Sequence, residues 1–234
     1  MIALAMNSRL RALRNPELAE RAQRYFKTGK GEYGEGDRFL GIRVPLLRAQ
    51  LKQCGVVTLQ EIQTLLNSAF HEERLFALLL LVRLYEKGDA QAQAAIYAMY
   101  LQNLPSINNW DLVDSSASQI VGRHLAARDK KPLYKLVKSA NVWERRIAII
   151  ATFYFIRDSQ FTDALHLAEL LLHDQEDLIH KAVGWMLREI GKRDMVTEQE
   201  FLRIHYQKMP RTMLRYAIEK FPQPLRKRYL SGAA

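Results

Sequence analysis

The sequence predicts an all-α fold, a superhelical solenoid of paired α-helices. Two observations lead to this prediction. Apolar residues recur with helical periodicity between helix-capping motifs, whereas alternating strand patterns and hairpin dipeptides are scarce. In addition, a similar helical pattern returns about every 35 residues, as expected of repeats that stack side by side.

Four segments carry the signals of a helix start. Asn15-Pro16 combines a capping residue with proline at the first helical position. The segments 58–61 (TLQE) and 197–200 (TEQE) predict capping boxes, and 141–144 (NVWE) is a looser form of the same signal. Each of them precedes an apolar run of helical period, so we expect helices to begin there.

The repeat is seen by aligning five segments that share one register. Their equivalent positions are Arg74, Trp110, Arg146, Lys181 and Arg215, separated by 36, 36, 35 and 34 residues. This period, with two helices in each unit, is typical of a HEAT-like or ARM-type α–α superhelix. We therefore predict one right-handed solenoid domain over residues 1–234.

Chemically distinctive side chains recur at these positions and four residues later. Asp114 follows Trp110 by four residues and Trp185 follows Lys181 by four, so each pair lies on one helix face. Since a solenoid aligns equivalent helices, we expect both pairs and Arg146 to meet on one surface, the concave one. Arg74 and Arg215 extend this line toward the two ends.

Each of these residues also has a purely structural interpretation. Trp185 can be core, Trp110 a hydrophobic contact at a helix start, Asp114 a solvated charge, and Arg146 the partner of a neighbouring acid. The group favours function, because the core positions of a solenoid usually carry Leu, Ile, Val or Ala. Trp143 lies outside the register and is predicted to be structural.

The charge distribution favours an acidic partner. The net charge is +10 and the pI about 9.7. Residues 8–52 carry a net charge of +6 and residues 203–230 of +7, whereas residues 110–191 are neutral. Two basic ends suit a clamp on nucleic acid, with an anionic membrane as the second choice and two unrelated solvated faces as the alternative.

Several function classes are disfavoured by the residues present. Cys54 is the single cysteine, and the six histidines show no metal-binding spacing, so we expect neither a metal nor another cofactor. The N-terminus lacks the features of a secretory signal, and the apolar run 76–82 is too short to span a bilayer. We expect a cytoplasmic monomer that does not bind membranes.

One glycine-rich segment, residues 29–37 (GKGEYGEGD), contains the spacing GxGxxG. A dinucleotide site requires a strand before this motif, whereas here a helix is predicted to end before it. We expect a helix–helix connection whose free N–H groups can contact a phosphate.

Several segments resemble the AlkD family of bacterial DNA alkylation repair glycosylases, and the resemblance runs along nearly the whole chain. The segments are 24–27 (RYFK), 39–48 (FLGIRVPLLR), 108–114 (NNWDLVD), 141–149 (NVWERRIAI) and 180–189 (HKAVGWMLRE). The last three are specific in combination.

The resemblance implies a HEAT-like solenoid that excises cationic purines, such as 3-methyladenine and 7-methylguanine, from duplex DNA without base flipping. It implies that Trp110 and Trp185 contact the damaged nucleotide and that Asp114 is the catalytic carboxylate. It also implies that Arg146 holds the DNA backbone, with Tyr25 near the lesion, and that the protein acts at the bacterial nucleoid.

The alternative is a non-catalytic scaffold that binds nucleic acid or protein. We predict Lys181, Arg74 and Arg215 to be DNA contacts, and a protein-binding scaffold would not need the basic ends of the chain. Asp114 distinguishes the two, because a carboxylate on a phosphate-facing surface repels the phosphates. A protein that only binds DNA gains nothing from it, whereas a glycosylase can use it for catalysis.

Overall fold

The computed structural model describes residues 2–233, with side chains from Met6 onward, and confirms the all-α prediction. Over these residues the backbone forms helices and turns, and the only β-type pairing is an isolated bridge between Arg38 and Phe70. No helix within residues 2–233 combines the length and apolar character needed to cross a membrane. The chain divides into two compact units, Met1–Ser116 and Ala117–Ala234, and the predicted single domain stays a prediction.

The first unit is built from seven α-helices and a short 3-10 turn at Leu104–Ser106 among the residues described. Two of its predicted helix starts are confirmed. The Asn15 side chain accepts a hydrogen bond from the Leu18 amide at 3.0 Å, and Thr58 and Glu61 form a reciprocal capping box. The helices are α1 (Ile2–Ala12), α2 (Pro16–Tyr25), α3 (Val44–Gln53), α4 (Leu59–Leu66), α5 (His71–Lys87), α6 (Ala90–Gln102) and α7 (Trp110–Asp114).

A buried carboxylate fixes the irregular segment between α2 and α3. Glu72 accepts hydrogen bonds from the amides of Leu40, Gly41 and Ile42 at 2.8, 2.7 and 3.1 Å. Gly41 has a φ of 80°, and a Cβ there would lie 2.1 Å from the Asn15 carbonyl oxygen. The segment can approach α2 this closely because glycine alone fits the position.

The second unit begins with a π-turn at Ser118–Gly122 and ends with a short basic helix. Its helices are α8 (Arg123–Leu125), α9 (Lys131–Leu136), α10 (Val142–Ala151), α11 (Phe153–Arg157), α12 (Thr162–Leu170), α13 (Asp177–Gly191), α14 (Met195–His205), α15 (Arg211–Ala217) and α16 (Gln223–Ser231), with a 3-10 turn at Ile218–Lys220 between the last two.

One predicted helix start in this unit is confirmed and one is wrong. The Asn141 side chain caps α10 by accepting from the Trp143 amide at 2.8 Å. The predicted capping box at Thr197 is wrong, because α14 begins at Met195 and is capped by Asp194. The Asp194 carboxylate, three residues earlier, accepts from the Thr197 amide at 3.1 Å and leaves Thr197 inside the first turn.

The second unit also buries a carboxyl group without a full set of partners. Glu198 on α14 is 1% exposed, lies against Gly191, and its Oε1 has no hydrogen-bond partner among the described residues. Burial raises the pKa of Glu198 to about 8, and the nearby charge of Arg188 only partly opposes this rise. The carboxyl group is therefore largely protonated in the folded unit at neutral pH.

We expect Glu198→Gln to stabilise the protein at alkaline pH. The folded-state pKa of Glu198 is raised above its ordinary value of 4.5, so folding loses free energy as pH rises from 4.5 to about 8. Replacing the carboxyl group by an amide removes this cost, which we expect to be on the order of 4 kcal/mol at pH 8. Denaturant unfolding at pH 8 and pH 4.5 measures it. A gain of equal size at both pH values would contradict this explanation.

Candidate functional site

Trp110 and Asp114 lie on α7, a helix only five residues long. The buried Asn109 caps it through a hydrogen bond from the Trp110 amide at 2.9 Å. The helix ends after Asp114, where the Ser116 hydroxyl donates to the Leu112 carbonyl at 2.6 Å. Both Trp110 and Asp114 are partly exposed, and their spacing of four residues places them on one face.

Tyr25 and Trp110, which were predicted to lie near the lesion, are in contact. Their ring centroids are 5.9 Å apart in an edge-on arrangement, and Tyr25 is 66% exposed. Tyr25 also contacts Phe26, whose ring stacks on Trp110 at 5.2 Å with an interplanar angle of 19°. An exposed tyrosine held on a supported tryptophan offers two aromatic surfaces to a ligand.

The aromatic stack continues inward to a histidine that the sequence reasoning missed. Phe26 stacks on Phe39 at 5.0 Å, and Phe39 stacks on His71 at 4.5 Å. The His71 ring lies between two carboxylates: Nδ1 is 2.8 Å from Asp37 Oδ2, and Nε2 is 2.7 Å from Asp111 Oδ2. Asp111 belongs to the first turn of α7, so this bond ties the start of that helix to His71 on α5.

His71 carries a positive charge in this arrangement. A neutral imidazole has one N–H donor, so its second nitrogen would place a lone pair against a carboxylate. Burial lowers the pKa of His71, but hydrogen bonds and negative charge from Asp111 and Asp37 outweigh it and raise the pKa to about 9. For Asp37, burial alone would raise the pKa, but the hydrogen bonds and positive charges of His71 and Arg74 outweigh burial and lower the pKa below its ordinary value.

The prediction that Arg74 extends a surface line of DNA contacts is wrong. Arg74 is 5% exposed, and its guanidinium donates to Asp37 at 2.6 Å and to Asn108 at 3.1 Å. It also donates to the carbonyls of Ser68 and Ser106. Because its charge is matched inside the unit, Arg74 stabilises the fold around His71 and is not available to a phosphate.

Asp114 lies close enough to the buried Tyr100 to act on its ionisation. Burial raises the pKa of Tyr100, a hydrogen bond with Ser116 opposes this, and the negative charge of Asp114 adds to the rise. The Tyr100 hydroxyl therefore stays protonated. It lies 3.0 Å from Ser116 Oγ and can donate a hydrogen bond to it. These bonds connect the end of α7 with α6.

In the second unit, Trp185 lies on α13 and is partly exposed. Its indole Nε1 donates to Glu189 Oε1 at 3.2 Å, and its ring lies 6.0 Å from that of Phe153. Glu189 also pairs with Lys192 and Arg193. One edge of the indole is thus held within α13.

The three predicted basic contacts of the second unit differ in exposure. Arg146 is 5% exposed and donates to the Leu178 carbonyl, so its surface placement is corrected. Lys181 is partly exposed and pairs with Asp177 at 2.7 Å, and Arg215 is exposed on α15. Whether these residues share one surface with Trp110 and Asp114 stays a prediction.

The glycine-rich segment does not offer all the N–H groups predicted for a phosphate. The Gly29 amide donates to Glu32 at 2.9 Å, and the Gly31 amide donates to Glu35 at 2.8 Å. Its last residue, Asp37, instead joins the buried pair with His71. The segment therefore contributes to the site by placing the Asp37 carboxylate against the buried His71.

Over residues 2–233 no group of three His, Cys, Asp or Glu side chains is arranged to hold a metal ion. What the first unit presents is a partly exposed carboxylate beside two aromatic rings. Such a surface can contact a planar, positively charged ligand through both charge and ring faces.

We expect the free energy of unfolding to fall at alkaline pH, because the charged His71 between Asp37 and Asp111 loses its proton there. The folded-state pKa of His71 is about 9 against an ordinary value of 6.5, so its contribution is complete below pH 6.5 and is lost as pH rises through 9. That loss is on the order of 3 kcal/mol. Denaturant unfolding of wild type and His71→Gln from pH 6 to pH 10 measures this loss. The difference between their free energies of unfolding narrows as pH rises, and a constant difference would show that the loss does not come from His71.

Comparison with known structures shows where this fold occurs. A predicted DNA alkylation repair enzyme from Enterococcus faecalis is similar with a TM-score of 0.69 at 20% identity, covering 90% of this chain and 97% of that one. AlkD2 from Streptococcus mutans is similar with a TM-score of 0.54 at 16% identity, covering 87% and 97%. The smu.31 protein of the same organism gives 0.54 at 15% identity, covering 93% and 96%.

Sequence comparison identifies the family. No curated protein matches the chain significantly. The family model described as DNA alkylation repair enzyme matches residues 6–221, which is most of the chain. The resemblance stated from the sequence motifs is confirmed, and the chain belongs to the DNA alkylation repair enzyme family.

Proposed function

We propose that the protein is a DNA glycosylase that hydrolyses the N-glycosidic bond of cationic N3- or N7-alkylated purines in duplex DNA. The observation that carries this proposal is the face of α7, where the partly exposed Asp114 follows Trp110 by one helical turn and the exposed Tyr25 ring contacts the indole. Membership of the DNA alkylation repair enzyme family supports the substrate class.

The chemistry suits a carboxylate without a metal. An alkylated purine with a positive charge is already a good leaving group, so its departure leaves positive charge on the sugar. The Asp114 carboxylate placed beside C1′ would stabilise that charge and orient a water for attack. The base leaves as a neutral purine with the bond electrons, water supplies the new hydroxyl at C1′, and the remaining proton of that water passes to solvent, directly or by way of the Asp114 carboxylate.

The aromatic residues would bind the lesion region without a deep pocket. Trp110 and Tyr25 present ring surfaces at the exterior of the first unit, and aromatic faces attract cations and polarised C–H groups by about 0.5–2 kcal/mol each. An open surface of this kind is compatible with a base that stays in the duplex. We propose Trp185, on the second unit, as a further aromatic contact with DNA.

The backbone contacts would come from exposed basic residues. The C-terminal segment 203–230 is strongly basic, and on α16 the side chains of Lys227 and Arg228 are exposed. We propose this segment, with Arg215 and Lys181, as the phosphate-binding part of the second unit. In the first unit Arg11 contributes less than its charge suggests, since it pairs with the buried Glu73.

We expect the salt dependence of binding to report these contacts. Affinity for duplex DNA falls steeply as salt rises, because each phosphate contact releases a counterion. Lys227→Gln reduces the magnitude of the slope of log K against log [salt] by about one. The control is Lys138→Gln, at an exposed lysine in the electrically balanced middle of the chain, and it leaves the slope unchanged. Fluorescence anisotropy with a labelled duplex measures both. Equal slopes for all three proteins would remove α16 from the DNA contacts.

We expect Asp114→Asn to abolish most excision while leaving fold and DNA binding intact. Removing the charge deprives the cationic sugar of stabilisation worth about 3–4 kcal/mol, or roughly 10²–10³ in rate. Affinity holds or rises slightly, because repulsion between the carboxylate and phosphates disappears. The measurement is single-turnover release of 7-methylguanine, with binding followed in parallel.

The control for that experiment is Asp158→Asn, which removes an exposed negative charge elsewhere in the chain. It is expected to excise at the wild-type rate. Equal rates for Asp114→Asn and wild type would remove Asp114 from catalysis. A wild-type rate no higher than spontaneous depurination on every cationic lesion tested would favour the non-catalytic scaffold.

A further inference from the structure

The first unit contains a charge cluster that the proposed chemistry does not use. It comprises four buried or nearly buried groups: His71, Arg74, Asp37 and Asp111. Two positive and two negative charges balance within hydrogen-bonding distance. Glu72, the neighbour of His71 on α5, faces away into the 40–42 segment and is satisfied there.

The cluster reaches the functional face by two routes. Through hydrogen bonds, His71 Nε2 holds Asp111, the residue after Trp110 in the first turn of α7. Through ring contacts, His71 and Phe39 support Phe26, and Phe26 stacks directly on Trp110. The same imidazole therefore acts on the backbone of α7 and on the ring beneath the indole.

Apolar packing alone does not fix these rings. A cavity of about 170 Å³ borders Phe26, Phe39, His71 and Asp111, so the stack is not enclosed on that side. Interiors hold a side chain rigidly when close contacts surround it. Beside an open cavity, the directional hydrogen bonds of His71 are the interactions that define where the stack lies.

We propose that His71 is a positioning residue: as a cation bonded to Asp37 and Asp111, it holds Trp110 and Asp114 in the orientation that meets DNA. This rests on the proposed function of the α7 face. Loss of the proton would leave one ring nitrogen facing a carboxylate, and Asp111 would be released. The start of α7 and the stack beneath Trp110 would then loosen together.

The test uses Asp111→Asn in the full chain and follows the indole N–H resonances by NMR without DNA. In wild type the Trp110 resonance, assigned by comparison with Trp110→Phe, shifts with a midpoint near pH 9. Asp111→Asn keeps an acceptor for His71 but removes a negative charge, so the midpoint moves down by about one pH unit or more. The resonances of Trp143 and Trp185 do not follow this titration.

The matched control is Glu20→Gln, which removes an exposed carboxylate from α2, where it pairs with Arg24 at 3.1 Å. It leaves the midpoint at its wild-type value. In single-turnover excision at pH 8.5, Asp111→Asn is at least about threefold slower than Glu20→Gln, because a smaller fraction of its His71 is charged, and the deficit closes at pH 6.5.

The two readouts separate this inference from the proposed function. A Trp110 resonance that does not titrate in wild type overturns the positioning role, whatever the activity. This titration is measured on the wild-type protein and needs only the assignment from Trp110→Phe, so it decides the matter even where Asp111→Asn fails to fold. If the Trp110 resonance titrates but the protein excises no cationic lesion, His71 still positions Trp110, and the glycosylase proposal is overturned instead.

Discussion

The first unit depends on one buried cation shared by two carboxylates. Asp37 and Asp111 come from segments 74 residues apart, and each would be costly to bury alone. His71 satisfies both because its two ring nitrogens point in opposite directions, and Arg74 supplies the second positive charge. Removing one member of such a group leaves an unmatched charge in a poorly solvated place, so the segments that carry these residues are held together.

The position of the candidate site follows from this constraint. α7 is too short to be stable by its own hydrogen bonds, so tertiary contacts must define where it lies. Asp111 fixes its first turn against α5, and the bonds of Ser116 with Leu112 and Tyr100 fix its end. Trp110 and Asp114 can therefore remain partly exposed without being mobile, because the elements beneath them are anchored.

Local signals in the sequence predicted the helices and several of their starts, since a cap depends on residues three or four apart. The failure at Thr197 arose because a stronger cap, Asp194, lies just before it. The repeat register identified Trp110 but misplaced Arg74, because a register gives the face of a helix and not the reach of a side chain. His71 was missed because its partners lie 34 and 40 residues away, a separation that no motif within one helix reports.

The charge cluster also bears on how such a surface could catalyse a reaction. A carboxylate stabilises a cationic sugar most effectively when it is already oriented, since reorganisation during the reaction consumes part of the gain. A buried ion network is a poor source of net stability compared with apolar packing, but its directional bonds specify one arrangement. In the first unit that arrangement contacts the rings that support Trp110 and the first turn of the helix that carries Asp114. Its cost in folding free energy is therefore understandable as the cost of holding partly exposed side chains in a single geometry.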